Sequence, residues 1–388
     1  MIRGLLLLLT LSGCTAVFRA VPPTGDEVTI FVPGYKGSFL SLDSAPAKHA
    51  WIDPTDVLCA GHDTLALPFE GERPVPSFGP LHAAGPMTRL TVLPLIAEED
   101  VYESWMEYGT RELPGFVPFS YDWRQDIRVS AAQLAALIDH LSSDRARPLR
   151  INLVAHSMGG LVALYYLRYG ADPAARQVSW EGARHVQRVT FVATPFRGSP
   201  AILKDFVLGA TTGLNTALLS KEALFTFAAA FQLMPATDDF FFDAADRPVP
   251  LAASDPATWY AKSWGVFADP ALQGDPAYRL QLTRMLTDHL ELARALRDVD
   301  VPPPPTLQAL VIIGHGRSTV SGARLTDGRL DTKHPLTADG DEAVTVSSAT
   351  PPRPLEYRRL DVTGAVHSEL LNDKTVRAAI TRFVRLGP

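Results

Sequence analysis

Ser157 stands in Ala155-His156-Ser157-Met158-Gly159, between the apolar run INLVA and the helix-forming GLVALYYL. This is the small-x-Ser-x-Gly pattern of a nucleophile elbow, with Ala155 in place of the first glycine. A sharp strand-to-helix turn needs small neighbours, and it lifts the serine hydroxyl above the end of a sheet. The N-terminus of the following helix favours negative charge at the same point. A hydroxyl placed there can attack a carbonyl, and the resulting oxyanion can be held. A free serine hydroxyl is a poor nucleophile, so the pattern demands a base, normally histidine, and a carboxylate to orient it.

Five histidines follow Ser157: His185, His289, His315, His334 and His367. With this type of elbow the chain order is serine, acid, histidine. His367 lies in DVTGAVHSELLND, after the short strand-like YRRLDV and before a helix-like C-terminus. That place suits the base; His315, after LVIIG, is the rival. For the acid, the turn-rich TADGDEAVTVSSA (337–349) precedes a β-like run and offers Asp339, Asp341 and Glu342. Asp341 lies 26 residues before His367, room for one strand and its connections, but spacing does not choose among the three. An oxyanion needs two backbone donors. One is the amide after the nucleophile, Met158; the other belongs to a loop after an early strand. FVPGYKGSF supplies that loop, and Tyr35 is its first residue beyond the Pro33-Gly34 turn.

These residues need a scaffold. VTIFVPG, INLVAHS, VQRVTFVATP and LQALVIIGHG are short apolar, largely β-branched runs ending in glycine, proline or a polar residue. Helix-like stretches, SAAQLAALIDHL and GGLVALYYLRYG, lie between strand-like ones. Strands alternating with helices predict an α/β protein with a mostly parallel sheet and crossover helices. Between Gly198 and Pro305 the pattern shifts to aromatic clusters and one long helical stretch, AYRLQLTRMLTDHLELARALRD, ending at the stiff Pro302–Pro305. The strand pattern then returns at Leu307. Residues 28–198 and 306–388 are therefore expected to form the core, with 199–305 inserted as a cap and 41–100 as an irregular lid-like region.

The 388 residues carry a formal charge of −6 and 46% hydrophobic content, ordinary for a globular chain with a sizeable core. Charges are mixed, with no long basic run, which argues against nucleic acid as a partner. No internal apolar run reaches the roughly 18 residues of a membrane span. The N-terminus, MIRGLLLLLTLSGCTAV, has a basic start, a short apolar core and small residues, the pattern of an export signal over residues 1–14. Leu11-Ser12-Gly13-Cys14 resembles a bacterial lipobox, which implies cleavage before Cys14 and its lipidation. Residues 15–27 would then be a tether. The implied location is the cell envelope of a bacterium, and Thr15, not being acidic, points to its outer membrane. Cys59 is the only other cysteine, so a lipidated Cys14 leaves no internal disulfide.

Taken together, several segments resemble the lecithin:cholesterol acyltransferase family, whose relatives include lysosomal phospholipase A and phospholipid:diacylglycerol acyltransferases. They are VTIFVPGYKGSFL, WIDPTDVL (51–58), FSYDWRQD (119–126), AHSMGG, TPFRGSP (194–200), FQLMPATDDFFFD (231–243), DGDEAVTVSS and VHSELLND. The resemblance implies an α/β-hydrolase fold with an inserted cap, and acyl transfer on lipid esters through an acyl-serine. It assigns the nucleophile to Ser157, the acid to Asp341, the base to His367 and the oxyanion amides to Tyr35 and Met158. It implies no metal or organic cofactor, a phospholipid or other lipid ester as substrate, and a membrane surface as partner; oligomeric state stays open. Release of the acyl group to water or to an alcohol is not decided by any residue. A catalytically silent lipid binder and an esterase for small polar esters are the alternatives. Two departures stand out. Animal members carry a lid disulfide where only Cys59 is found, and Tyr35-Lys36 replaces the usual residues after Pro-Gly. Trp51 and Trp123 are candidates either for a lipid-facing surface or for the core.

Overall fold

The computed structural model describes residues 25–53, 64–69, 78–93, 97–143, 145, 147–235 and 237–386. The expectations for the signal, the lipobox with Cys14, and Cys59 lie outside the described residues.

Six strands, β1 (Glu27–Val32), β2 (Val117–Pro118), β3 (Arg150–His156), β4 (Val186–Val192), β5 (Gln308–His315) and β6 (Arg358–Thr363), form one sheet. Its order is β6-β5-β4-β3-β1-β2, and every pairing is parallel. The apolar runs read as continuous rather than alternating because both faces are covered. In β3 every residue after Arg150 is buried. On one face lie α2 (Ile127–Ser142) and α3 (Met158–Tyr169), and α3 is buried along its whole length. On the other face, α1 (Glu103–Glu112) and α6 (Lys374–Leu386) pack Trp105, Met106, Val376, Ile380 and Phe383 against Phe31 of β1 and Val154 of β3. Local chemistry sets where helices begin. Asp126 opens α2 by accepting from the Arg128 amide, a side-chain cap of the ordinary kind. The expected α/β architecture is the one observed.

The segment 199–305 contains α4 (Ile202–Leu208) and α5 (Pro276–Leu296), with shorter pieces between them. Its packing is aromatic: Phe206 lies tilted against Phe231 and edge to face with Trp259, with ring centroids 4.5 and 5.3 Å apart. Asp275 and Pro276 start α5, a capping side chain followed by a residue that needs no amide partner. None of the helices in the described residues is long and apolar enough to cross a membrane.

Two places differ from the sequence reading. Part of the region read as irregular is β structure: Ser38–Leu42, Ala45–Trp51 and Leu81–Pro86 form an antiparallel sheet. Pro46 and the register shifts in these pairings hide the alternation. After β5 the chain enters a long hairpin that no sequence pattern pointed to, Arg317–Thr326 with Arg329–Gly340, and Phe241–Asp243 from the inserted segment adds to it in parallel. AVTVSS, within the stretch 337–349 read as turn-rich, is no strand. It is folded into turns, with the Ala343 and Val344 amides donating to Asp341 and the Ser348 amide to Thr345 Oγ1.

Candidate active site

All the chemistry-bearing loops leave the carboxyl ends of the parallel strands, where open α/β sheets collect their sites. β3 ends at His156, Ser157 makes the turn, and α3 begins at Met158. Ser157 has φ 53° and ψ −129°, a conformation a side chain rarely adopts. It is held there by its amide, which donates to the Val192 carbonyl at 2.8 Å. The glycines behind it are sterically required. A Cβ on Gly159 would lie 2.4 Å from the Val32 carbonyl oxygen, and one on Gly160 would lie 1.9 Å from Thr194 Oγ1. Ala155 is wholly buried within β3, where its methyl fits.

His367 Nε2 lies 2.9 Å from Ser157 Oγ, and His367 Nδ1 lies 2.9 Å from Asp341 Oδ2. Asp341 is 1% exposed. Burial alone would raise its pKa. The hydrogen bond and charge of His367, with the amides of Val344 and Ala343 at 2.7 and 3.1 Å, outweigh that and hold it below the usual carboxylate value. Asp341 is therefore an ionised acceptor at neutral pH. It fixes the imidazole with its proton on Nδ1, leaving Nε2 to accept from the serine hydroxyl. The backbone joins the same two residues, since the His367 amide donates to the Asp341 carbonyl at 3.0 Å.

The loop after β1 faces this group. A Cβ on Gly34 would fall 2.9 Å from Ser157 Cβ, so only glycine allows so close an approach. The loop is pinned peptide by peptide. Tyr121 Oη donates to the Pro33 carbonyl at 2.7 Å, the Gly34 amide donates to Tyr102 Oη at 3.1 Å, the Gly37 amide donates to the Gly34 carbonyl at 3.0 Å, and Trp51 Nε1 donates to the Lys36 carbonyl at 3.0 Å. Tyr35 thus sits on a rigid turn beside Ser157, and Met158 is the first residue of α3.

The rival residues are engaged elsewhere. His315 Nε2 pairs with Thr363 Oγ1 at 3.0 Å, and its Nδ1 lies 3.8 Å from Asp339. Glu342 faces Arg317 at 3.4 Å. His289 is buried on α5, and His334 pairs with Asp331 on the exposed hairpin. His185 follows a turn of 3-10 helix before β4. Trp51 and Trp123 are core, 4% and 0% exposed, and their rings meet edge to face at 5.2 Å. Two buried side chains at the site have no counterpart in the sequence reading. His156 was visible inside the elbow pattern; Tyr102, 54 positions earlier, carried no signal at all.

Comparison with known proteins adds a likeness over the central part of the chain. Residues 96–263 match the lecithin:cholesterol acyltransferase family. An uncharacterized protein of Saccharomyces cerevisiae is 26% identical over 125 residues, which are 32% of this chain and 17% of the yeast protein. The match therefore spans a small part of that relative's length. Among solved structures, the Tle4–Tli4 complex contains a chain similar in fold, with a TM-score of 0.55 and 14% identity, covering 93% of this chain and 99% of that one. The chain thus has the parallel-sheet architecture of an α/β-hydrolase, and its central part, residues 96–263, is similar to the lecithin:cholesterol acyltransferase family.

Proposed function

We propose that this protein transfers acyl groups from lipid esters through a covalent ester on Ser157. His367 takes the hydroxyl proton through Nε2 as Ser157 Oγ attacks the substrate carbonyl carbon. Asp341 stabilises the imidazolium that forms and keeps it oriented. The amides of Tyr35 and Met158 hold the tetrahedral oxyanion; loss of one such donor costs roughly 10²–10³ in rate. Collapse expels the substrate's alcohol, which takes the proton back from His367. Water or a second alcohol then attacks the acyl-serine by the same proton route, and Ser157 is regenerated.

The observation that carries this reading is the unbroken hydrogen-bonded chain from Asp341 through His367 to Ser157, on a strained elbow. A lipid substrate is supported by the family match. The reading extends to an exported protein lipidated at Cys14 and held at a membrane surface, which would keep the enzyme beside its substrate; the support there is the N-terminal sequence. The test is product analysis. Incubation with acyl-labelled phospholipid, with and without a sterol or glycerolipid alcohol, should release free fatty acid or form a new ester, and should do neither with Ser157→Ala. Folded wild-type protein that fails to react at Ser157 with a fluorophosphonate would overturn the proposal in favour of a silent lipid binder.

A further inference from the structure

The nucleophile's own neighbour, His156, is 4% exposed and hydrogen-bonded at both ring nitrogens. Nδ1 lies 2.8 Å from Tyr102 Oη, and Nε2 lies 3.1 Å from the His367 carbonyl oxygen. Tyr102 Oη also receives the Gly34 amide at 3.1 Å. The two ends of this chain fix every proton in it. A backbone amide can only donate and a carbonyl can only accept. Gly34 N–H therefore gives its proton to the phenol oxygen, and the single phenol proton goes to Nδ1 of His156. His156 then carries its own proton on Nε2 and gives it to the His367 carbonyl. A doubly protonated His156 would turn an N–H against the phenol proton. Burial, with the neighbouring His367, lowers the His156 pKa to about 3, so the ring is neutral as this pattern requires.

The relay is buried and packed. Tyr102 is 4% exposed and meets Phe31 edge to face at 5.0 Å, and the His156 and His367 rings are 4.8 Å apart. Its two ends belong to loops from different strands: Gly34 follows β1, and His367 follows β6 at the sheet's far edge. One end is the residue just before Tyr35, and the other is the backbone of the histidine that faces Ser157. Neither Tyr102 nor His156 has a position from which to touch a substrate.

We infer that Tyr102 and His156 are positioning residues, a fixed hydrogen-bond relay that holds the amide loop at Gly34 and the base at His367 in register around Ser157. The inference rests on the acyl-transfer reading above and adds to it a device that sets the distance between oxyanion donors and base. Orientation errors of about 1 Å cost roughly 10² in rate, so the relay acts on turnover rather than on substrate affinity.

The test compares Tyr102→Phe, His156→Leu, His156→Gln and the double variant Tyr102→Phe/His156→Leu on a soluble p-nitrophenyl ester. Tyr102→Phe keeps the ring against Phe31 and removes only the relay oxygen. Its kcat should fall by roughly 10–100-fold with KM within about twofold. His156→Leu should fall as far. The double variant should be no slower than the slower single one, because a broken relay cannot be broken twice. His156→Gln, whose amide N–H can reach the His367 carbonyl, should recover about tenfold over His156→Leu. Unchanged kcat in Tyr102→Phe, losses that multiply in the double variant, or no recovery with glutamine would each overturn the relay. Should His156→Leu fail to fold, Tyr102→Phe decides by itself. Fluorophosphonate labelling separates the two levels. Wild type that takes no label at Ser157 sinks the acyl-transfer reading, whereas labelled wild type with indifferent Tyr102→Phe sinks only the relay.

Discussion

Asp341, at the edge of the sheet, and Arg168, on α3 where it meets α5, are both buried charges with different surroundings. Asp341 has a partner for each carboxylate oxygen: two backbone amides on Oδ1 and the His367 ring on Oδ2. Arg168 has no carboxylate within ion-pair distance among the described residues. Its Nη1 donates to the carbonyls of Ala295 and Arg297 at 2.7 and 2.8 Å, at the C-terminal end of α5, and its guanidinium lies 5.6 Å from the Trp180 ring. Nε and Nη2 have no hydrogen-bond partner among the described residues. Burial lowers the Arg168 pKa to about 10, which leaves it charged at neutral pH. A cation at the negative end of a helix is favourable wherever it points within that last turn, so two unmatched nitrogens are tolerated. At the sheet edge the direction of each bond matters, because the carboxylate must present one oxygen to one nitrogen. The Arg168 arrangement fastens the inserted segment to the core; the Asp341 arrangement orients a ring.

That contrast predicts that changes at the edge should be read in rate and changes at the seam in stability. The largest effect is expected from Ser157→Ala, which should lower ester turnover by about 10⁶ while leaving the melting temperature close to that of the wild type. A folded Ser157→Ala protein with measurable turnover at the same substrate would move the nucleophile elsewhere.

Asp341→Asn comes next. The amide keeps the shape but favours the wrong imidazole tautomer, and kcat should fall by about 10⁴. The same carboxylate has a stability signature with a defined sign. Its folded pKa is depressed, so its stabilising contribution is complete above the ordinary carboxylate value and is lost as pH falls through the folded one. The gap in melting temperature between wild type and Asp341→Asn should therefore be widest near neutrality and close as pH drops below about 4. A gap that widened on acidification would contradict an ionised Asp341.

How much of this could be read from sequence follows the same division. The elbow was legible because a strained turn imposes small residues at consecutive positions, and the parallel strands because burial on both faces makes unbroken apolar runs. Base and acid followed from chain order and from family resemblance; spacing alone left Asp339, Asp341 and Glu342 equal. The hairpin over 317–340 was not legible. Its second strand is largely exposed or half-buried, so it lacks the apolar alternation that marks a strand. Tyr102 was invisible for another reason: a hydrogen bond between segments 54 residues apart leaves no local pattern.

At the seam, Arg168→Met should keep the packing and remove the donors. Taking this donor from the Arg297 carbonyl, and leaving the Ala295 carbonyl with only Tyr169 Oη at 3.1 Å, costs about 1–3 kcal/mol, and denaturant unfolding should show this as a lower midpoint with unchanged slope. The folded fraction should turn over at the wild-type rate. A fall in kcat of the folded enzyme would mean that the α3–α5 seam and the elbow at the start of α3 are not separable.

Asp339→Asn should do least, and it discriminates most finely between the carboxylates that sequence could not rank. Asp339 lies two residues from Asp341 in the same chain segment and near the rival His315. Yet among the described residues its Oδ1 serves only the Gly316 amide, and its Oδ2 stays 3.8 Å from His315 Nδ1 in partly exposed surroundings. The asparagine retains an oxygen for that amide. Stability should stay within about 0.5 kcal/mol, and kcat should stay within about twofold, in contrast to the roughly 10⁴-fold loss expected two residues away. Equal losses at the two positions would mean that the acidic loop acts through its summed charge, and the orienting role given to Asp341 would have no basis.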